Sequence, residues 1–113
     1  FPFDREGTIL SWNTAAEQVY GFTRQEAVGA CVYELIGTDE INAAARFVAA
    51  EVFAGKSIIG IEWRDRDKAG EIGYRIGNAF PLLQANGRVD CGVNMNIDVT
   101  ERRRAENGLR ESE

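Results

Sequence analysis

The chemistry open to this chain is bounded first by a missing residue. Histidine is absent from all 113 residues, which removes Ser-His-Asp and Cys-His catalysis, His-ligated haem and most zinc sites. It also removes the side chain most used to sense physiological pH. Cys31 and Cys91 are too few for a disulfide framework and read as reduced, packed thiols. Carboxylates are plentiful, but no pair is marked for acid–base work. Three features remain. Asp65 and Arg75 flank a polar turn, so strand pairing would set a carboxylate against a planar guanidinium fork. Asn94 and Asn96 stand two apart, on one face of any strand. Arg102-Arg103-Arg104 is diluted by Glu101 and Glu106 and reads as a solvated helix face. Gly55 and Gly60 lack a phosphate-loop pattern.

Composition narrows the class further. A chain of 113 residues fits one domain and should bury roughly 65% of the surface its unfolded form exposes. A hydrophobic content of 44% argues for a folded globule. The net charge of −5 disfavours nucleic acid and anionic membrane surfaces, both of which need clustered Lys and Arg. No apolar run approaches the ~20 residues that would span a bilayer, and the opening Phe1-Pro2-Phe3-Asp4 does not read as a signal peptide. A cytoplasmic setting is expected, with the parent protein free to be membrane-anchored.

The elements that must position these residues can be read from period and capping. Residues 8–12 alternate behind an Asp4-Arg5-Glu6-Gly7 turn and predict a short strand. Asn13 precedes a helix start in which Thr14 and Glu17 have capping-box spacing, and Gly21 stops it. Thr23 and Glu26 repeat the box before a helix running to Gly29. Residues 31–36 predict a third short helix, ended at Gly37. Thr38 caps a fourth, and Ile41, Ala44, Ala45, Val48 and Val52 make it the longest, over 41–53. The period then changes to strands over 57–65, 72–83 and 88–99, the last two joined by an Ala85-Asn86-Gly87 hairpin signal. A hairpin centred on Gly70 sets Asp65 against Arg75, Trp63 against Gly77 and Ile61 against Ala79, all on one face. Arg66 with Tyr74, Arg64 with Ile76 and Glu62 with Asn78 fall on the other. Asp98 and Glu101 have capping-box spacing at the head of a charged tail, in which Arg102, Ala105, Leu109 and Ser112 trace a weak coiled-coil seam. Strand, helices, then a meander is an α+β layout.

Several segments resemble one family. Asp4-Arg5-Glu6-Gly7-Thr8-Ile9-Leu10-Ser11-Trp12-Asn13-Thr14-Ala15-Ala16-Glu17 resembles the opening of PAS domains, as does Tyr20-Gly21-Phe22-Thr23-Arg24-Gln25-Glu26-Ala27-Val28-Gly29. Asp98-Val99-Thr100-Glu101-Arg102 resembles the PAC motif that ends a PAS core and begins its signalling helix. Leu109-Arg110-Glu111-Ser112-Glu113 resembles linkers into a second PAS domain or a kinase. The resemblance spans essentially the whole chain. It implies a five-stranded antiparallel sheet with helices on one face, a pocket between them and a C-terminal signalling helix, with an amino-terminal edge that is truncated here. The domain division it implies is 1–99 for the sensory core and 100–113 for the start of the helix.

By the same resemblance, polar flavin contacts of photosensing relatives fall at Asp65, Arg75 and Asn96. That places Trp63, Asp65, Arg75, Gly77, Ala79, Gly92, Asn94 and Asn96 on the inner wall. Two readings of that wall stay open. In one, Arg75, Asn94 and Asn96 hold a small polar ligand. In the other, Asp65 and Arg75 pair with each other and the asparagines bind water. Cysteinyl-flavin photochemistry is disfavoured, because Cys31 sits one position early in Gly29-Ala30-Cys31-Val32-Tyr33; any other cofactor stays unknown. Tyr74, Ile76, Phe80, Val93, Met95 and Ile97 fall on the outer face, too apolar to be left in water, and imply a homodimer or a covering helix. Asp98, Thr100 and Glu101 are expected to carry the state of the core to an output domain, as in bacterial two-component sensor histidine kinases. The rival readings are a ligand-free dimerisation module and, weakly, a small enzyme.

Overall fold

The computed structural model describes residues 1–112, and side chains as far as Gly108. A tight turn opens the chain. The Asp4 carboxylate accepts from the N–H groups of Glu6 and Thr8, at 3.0 and 2.8 Å. Gly7 completes the turn at φ 84°, where a side chain would run into the Tyr33 ring.

Four helices come next. α1 (Thr14–Tyr20) is capped by Asn13, whose side chain accepts from Ala16 N–H, so the expected Thr14–Glu17 box does not form. Asn13 holds the extended conformation a cap needs, and Glu17 instead accepts from Arg24 N–H at 3.2 Å. α2 (Arg24–Ala27) carries the complete Thr23–Glu26 capping box. α3 (Val32–Leu35) is a single turn. α4 (Asp39–Phe53) starts on Thr38, with Asp39 and Glu40 in a first turn that favours negative charge.

The strands build one antiparallel sheet. β1 (Pro2–Phe3), β2 (Ile58–Arg66), β3 (Ile72–Leu83) and β4 (Val89–Asp98) lie in the order β1-β4-β3-β2. The α+β layout is as expected, with four strands among the described residues in place of five. Residues 8–12 make only isolated bridges, Phe3 to Ile9 and Thr8 to Cys31. Ile9 N–H and Leu10 N–H donate to Ala30 and Pro2 on different segments, so no single neighbour runs alongside long enough to make a ladder.

The β2–β3 register differs from the expected one by two residues. Asp65 lies opposite Gly73, Trp63 opposite Arg75 and Ile61 opposite Gly77. Asp67 closes the turn: its N–H donates to Glu71 O and its carboxylate accepts from Glu71 N–H. That centres the hairpin on Ala69. An even shift leaves every side chain on its expected face, and Trp63, Asp65, Arg75 and Ala79 are all buried.

Two clusters fill the space between helices and sheet. Ile9, Trp12, Ala16, Tyr20, Ala27 and Ile36 pack under the short helices. Phe3, Ala49, Val52 and Ala79 pack between α4 and the strands. α5 (Thr100–Ser112) leaves the end of β4 and touches the sheet at β3. The seam positions Leu109 and Ser112, and the linker-like segment 109–113, lie outside the residues whose side chains are described. Ile9 is fully enclosed, so Ile9→Ala is expected to cost about 2–5 kcal/mol in urea unfolding. A loss under about 1 kcal/mol would mean the first cluster is not close-packed.

Candidate functional site

The inner face of the sheet carries a buried ion pair. Arg75 Nη1 donates to Asp65 Oδ1 at 2.8 Å and to the Asp65 carbonyl at 3.2 Å, with both side chains almost fully enclosed. The pair is diagonal across the ladder, because Asp65 faces Gly73. A Cβ at Gly73 would coincide with the guanidinium, so glycine there is what lets Arg75 fold back. Arg75 Nη2 reaches the Val19 carbonyl at 3.4 Å, and the guanidinium carbon lies 4.9 Å from the centre of the Tyr20 ring.

Tyr20, from the end of α1, completes the arrangement. Its hydroxyl donates to Asp65 Oδ2 at 3.0 Å and accepts from Asn96 Nδ2 at 3.1 Å. Asn96 lies over Gly77, where any Cβ would collide with its amide oxygen. Burial pushes the Asp65 carboxyl up from 3.8 to about 6, with Arg75 and the Tyr20 hydroxyl pulling against it. Burial, reinforced by the Asp65 charge, pushes the Tyr20 phenol well above its ordinary value. Nothing in the sequence marks Tyr20 or Gly73 as site residues, and Gly77 shows there only as a wall position. Tyr20 is visible only as a helix end and as the first residue of a PAS-like segment.

Beside this network, between α4 and the sheet, lies a cavity of about 50 Å³. Trp63, Asp65, Ala79 and Asn94 line it, together with Tyr33, Asn42 and the aliphatic face of α4. Arg75, Gly77 and Asn96 do not. The guanidinium is turned onto Asp65, and Asn96 lies under Tyr20. Three buried polar atoms on the lining have no partner: Trp63 Nε1, Asn94 Oδ1 and Asn42 Oδ1. Asn42 donates its Nδ2 to Tyr33 O at 3.2 Å and sits where Gly37 leaves room for it. The residues around the cavity thus carry one unpartnered indole N–H and two unpartnered amide oxygens, each closed off from solvent, and no free charge.

The last strand links this face to α5. Asp98 Oδ1 accepts from the Thr100 N–H at 3.1 Å and from the Thr100 hydroxyl. Thr100 Oγ1 accepts from Tyr74 N–H at 2.9 Å. The expected Asp98–Glu101 box is replaced by this turn, in which Asp98 reaches the second residue on. Glu101 is exposed. Arg75 Nε stands 3.8 Å from Asp98 Oδ1. On the outer face, Tyr74 lies between the guanidiniums of Arg64 and Arg103, at 5.5 and 5.4 Å, and Arg103 also reaches Glu62 at 3.3 Å. Phe80 and Val93 are half-buried, while Ile76, Met95 and Ile97 are 38%, 60% and 70% exposed.

Removing one partner of the buried pair strands the other charge. Asp65→Ala and Arg75→Ala are each expected to cost about 3–5 kcal/mol, and the double variant less than their sum. Tyr20→Phe, which leaves one Asp65 oxygen unpaired, is expected to cost about 1–3 kcal/mol. The pH dependence has a definite sign. The folded value of Asp65 lies above 3.8, so its contribution is full below the unfolded value and is lost as pH rises through about 6. The stability of the wild type relative to Asp65→Asn should therefore increase from pH 7 to pH 4.5 in urea titrations. A decrease would show that Arg75 outweighs burial.

Known proteins agree with this geometry. A family model described as the PAS fold matches residues 1–104. A PAS domain from Colwellia psychrerythraea is 27% identical, with 88% of this chain and 84% of that chain covered at a TM-score of 0.77. The PAS-B domain of Drosophila melanogaster Cycle, solved with bound ethylene glycol, is 21% identical over 86% of this chain and 95% of that one, at 0.74. The PAS domain of the histidine kinase ThkA is 18% identical over 86% and 93%, at 0.60. No curated protein matches. The match covers most of the chain, and the sheet, the helices over one face and the C-terminal helix are all in place: the chain belongs to the PAS fold family, whose members are generally sensory or interaction modules.

Proposed function

We propose that this chain is the sensing module of a larger signalling protein, with residues 1–99 as its core and 100–113 as the start of a helical linker to an output domain, such as a histidine kinase, or to a second PAS domain. The observation that carries the ligand reading is the set of three unpartnered polar atoms, on Trp63, Asn94 and Asn42, around one cavity. Buried polar groups are paired in stable folds, by protein, water or ligand. The volume suits a few heavy atoms, and the lack of free charge favours a neutral hydroxylated or amide-bearing molecule. Asp65 and Arg75 then frame the site without gripping the ligand through its charge. Ala79 keeps the sheet surface low beneath it, Gly77 makes room for Asn96, and Asn96 steadies Tyr20. Ethylene glycol in the Cycle PAS-B structure is a molecule of comparable size.

Transmission runs along β4. Asn94 touches the cavity, and four and six residues further on Asp98 and Thr100 fix the root of α5 to Tyr74 of β3, with Glu101 in its first turn. A ligand can bias that strand only if it binds the two output states with different affinity.

Native mass spectrometry of freshly purified protein should show an added small mass that leaves on denaturation, and ligand-observed NMR with small diols and amides should show binding. Asn94→Leu, which removes an acceptor and fills the cavity, should weaken that binding about tenfold or more. In a fusion to a histidine kinase, Asp98→Ala should abolish ligand control of phosphorylation while changing affinity less than about twofold. Bare polypeptide together with a blank NMR screen would sink the ligand reading.

A second reading has its own support: Ile76, Met95 and Ile97 adjoin on the outer face, through the Ile76–Ile97 and Asn78–Met95 pairs. On that reading the module is a homodimer through this face. Sedimentation should give a dimer that Ile97→Asp converts to a monomer. A wild-type monomer would end it.

A further inference from the structure

Two buried atoms remain unexplained by the cavity. Arg75 Nε and Asn96 Oδ1 both lack partners, and both belong to the ion-pair network, at its opposite ends. Arg75 is shared unequally between two carboxylates: Nη1 lies 2.8 Å from Asp65 Oδ1, and Nε lies 3.8 Å from Asp98 Oδ1, beyond hydrogen-bond reach. One cation facing two anions has two good arrangements, and the orphaned Nε is the donor the second would use. Asn96 Oδ1 fits the same account. At present Asn96 Nδ2 donates to the Tyr20 oxygen and Tyr20 donates to Asp65. If Asp65 held a proton, it would donate to Tyr20, and Tyr20 would need an acceptor. Turning the Asn96 amide supplies one, in the oxygen now unpartnered.

We infer that Asp65, Arg75 and Asp98 form a proton-operated latch: ionised Asp65 keeps Arg75 to itself, and protonated Asp65 releases Arg75 to Asp98 at the root of α5. The step takes one proton from solvent to an Asp65 carboxyl oxygen, and no other bond is made or broken. The Tyr20 and Asn96 hydrogen bonds reverse polarity, and Arg75 closes the gap to Asp98. That carboxylate already holds the Thr100 N–H and hydroxyl. A closer guanidinium therefore pins the turn that joins β4 to α5.

The surroundings of Asp65 support its role as the titrating member. Tyr20 faces it from α1 and Arg75 from β3, with Asp98 behind Arg75 on β4. From α3, Tyr33 shares the cavity, and burial holds its phenol above the ordinary value. α4 presents only Ile41, Asn42 and aliphatic residues there. The neighbouring Arg66 points away and donates to Glu34 O. Burial brings the Asp65 titration to about pH 6, and no histidine competes in that range. The latch acts on output only through the reading above, that α5 carries the signal.

The test is a pH titration of this chain by NMR, following the Asp65 carboxyl carbon and the amides of Val99, Thr100 and Arg103. The expected result is an Asp65 midpoint between about pH 5 and 7. The same midpoint should appear in the Val99 and Thr100 amides, whose hydrogen-exchange protection should rise about three- to tenfold on the acid side. Asp65→Asn should hold those amides in the acid state at every pH. Asp98→Asn should leave the Asp65 titration and remove the amide response. An Asp65 carboxyl still ionised at pH 4.5 would overturn the proposal, and so would a titration that α5 does not track. The wild-type titration decides even if Asp65→Asn does not fold. Because it needs neither ligand nor output domain, its failure leaves the ligand reading intact.

Discussion

The Asp65–Arg75 pair is the constraint around which the inner face is arranged. Taking both charges out of water costs several kcal/mol per ion unless geometry and further hydrogen bonds offset it. Much of the local sequence can be understood as meeting that requirement. Gly73 opposite Asp65 makes room for the guanidinium. The Asp67 turn sets the diagonal register. Tyr20 arrives from α1 to take the second carboxylate oxygen, and is itself placed by Trp12, whose ring centre lies 5.5 Å away. Helix, turn and strands therefore converge on one salt bridge. A pair held by α1, β2 and β3 ties the helical layer to the sheet more specifically than apolar contact alone.

This division of labour explains why the cavity is neutral. A guanidinium held at 2.8 Å by an internal carboxylate is not available to a ligand. The polarity that remains on the cavity wall comes from an indole N–H and two amides. Such groups select by hydrogen-bond pattern and shape, and by size above all in so small a space.

The sequence disclosed the fold well because its signals are local. The Thr23–Glu26 box, the Thr38 cap, the 3.6 period of residues 41–53 and the alternation of 72–83 each act within a few residues. Facing is legible for the same reason: period 2 keeps the same side chains together under any even shift of register. Register is not legible, because Asp67 and Gly70 compete to centre the same turn and only the Asp67 side-chain bond to Glu71 decides. Tyr20 is invisible as a site residue because its partner lies 45 positions away. The strand expected over 8–12 fails for a related reason, since alternation states a preference but a ladder needs a neighbour of equal length. Gly73 and Gly77 carry no pattern of their own. Their meaning lies in the side chains that occupy the space they leave.

The two faces of β4 are not independent. Asn94 and Asn96 face the cavity and Tyr20, while Met95 and Ile97 alternate with them on the exposed side. Pleating makes them one rigid row, so any slide or twist that an inner contact imposes on β4 moves the outer apolar side chains by a similar amount. Asp98 ends the row and is tied to α5 by short-range bonds. A partner seated on Ile76 and Ile97 would thus oppose or assist the same displacement that a ligand at Asn94 or a shift of Arg75 would favour. Ligand, proton and dimer need not be rival signals on this architecture, since each would bias the position of a single strand that has only one exit, into α5.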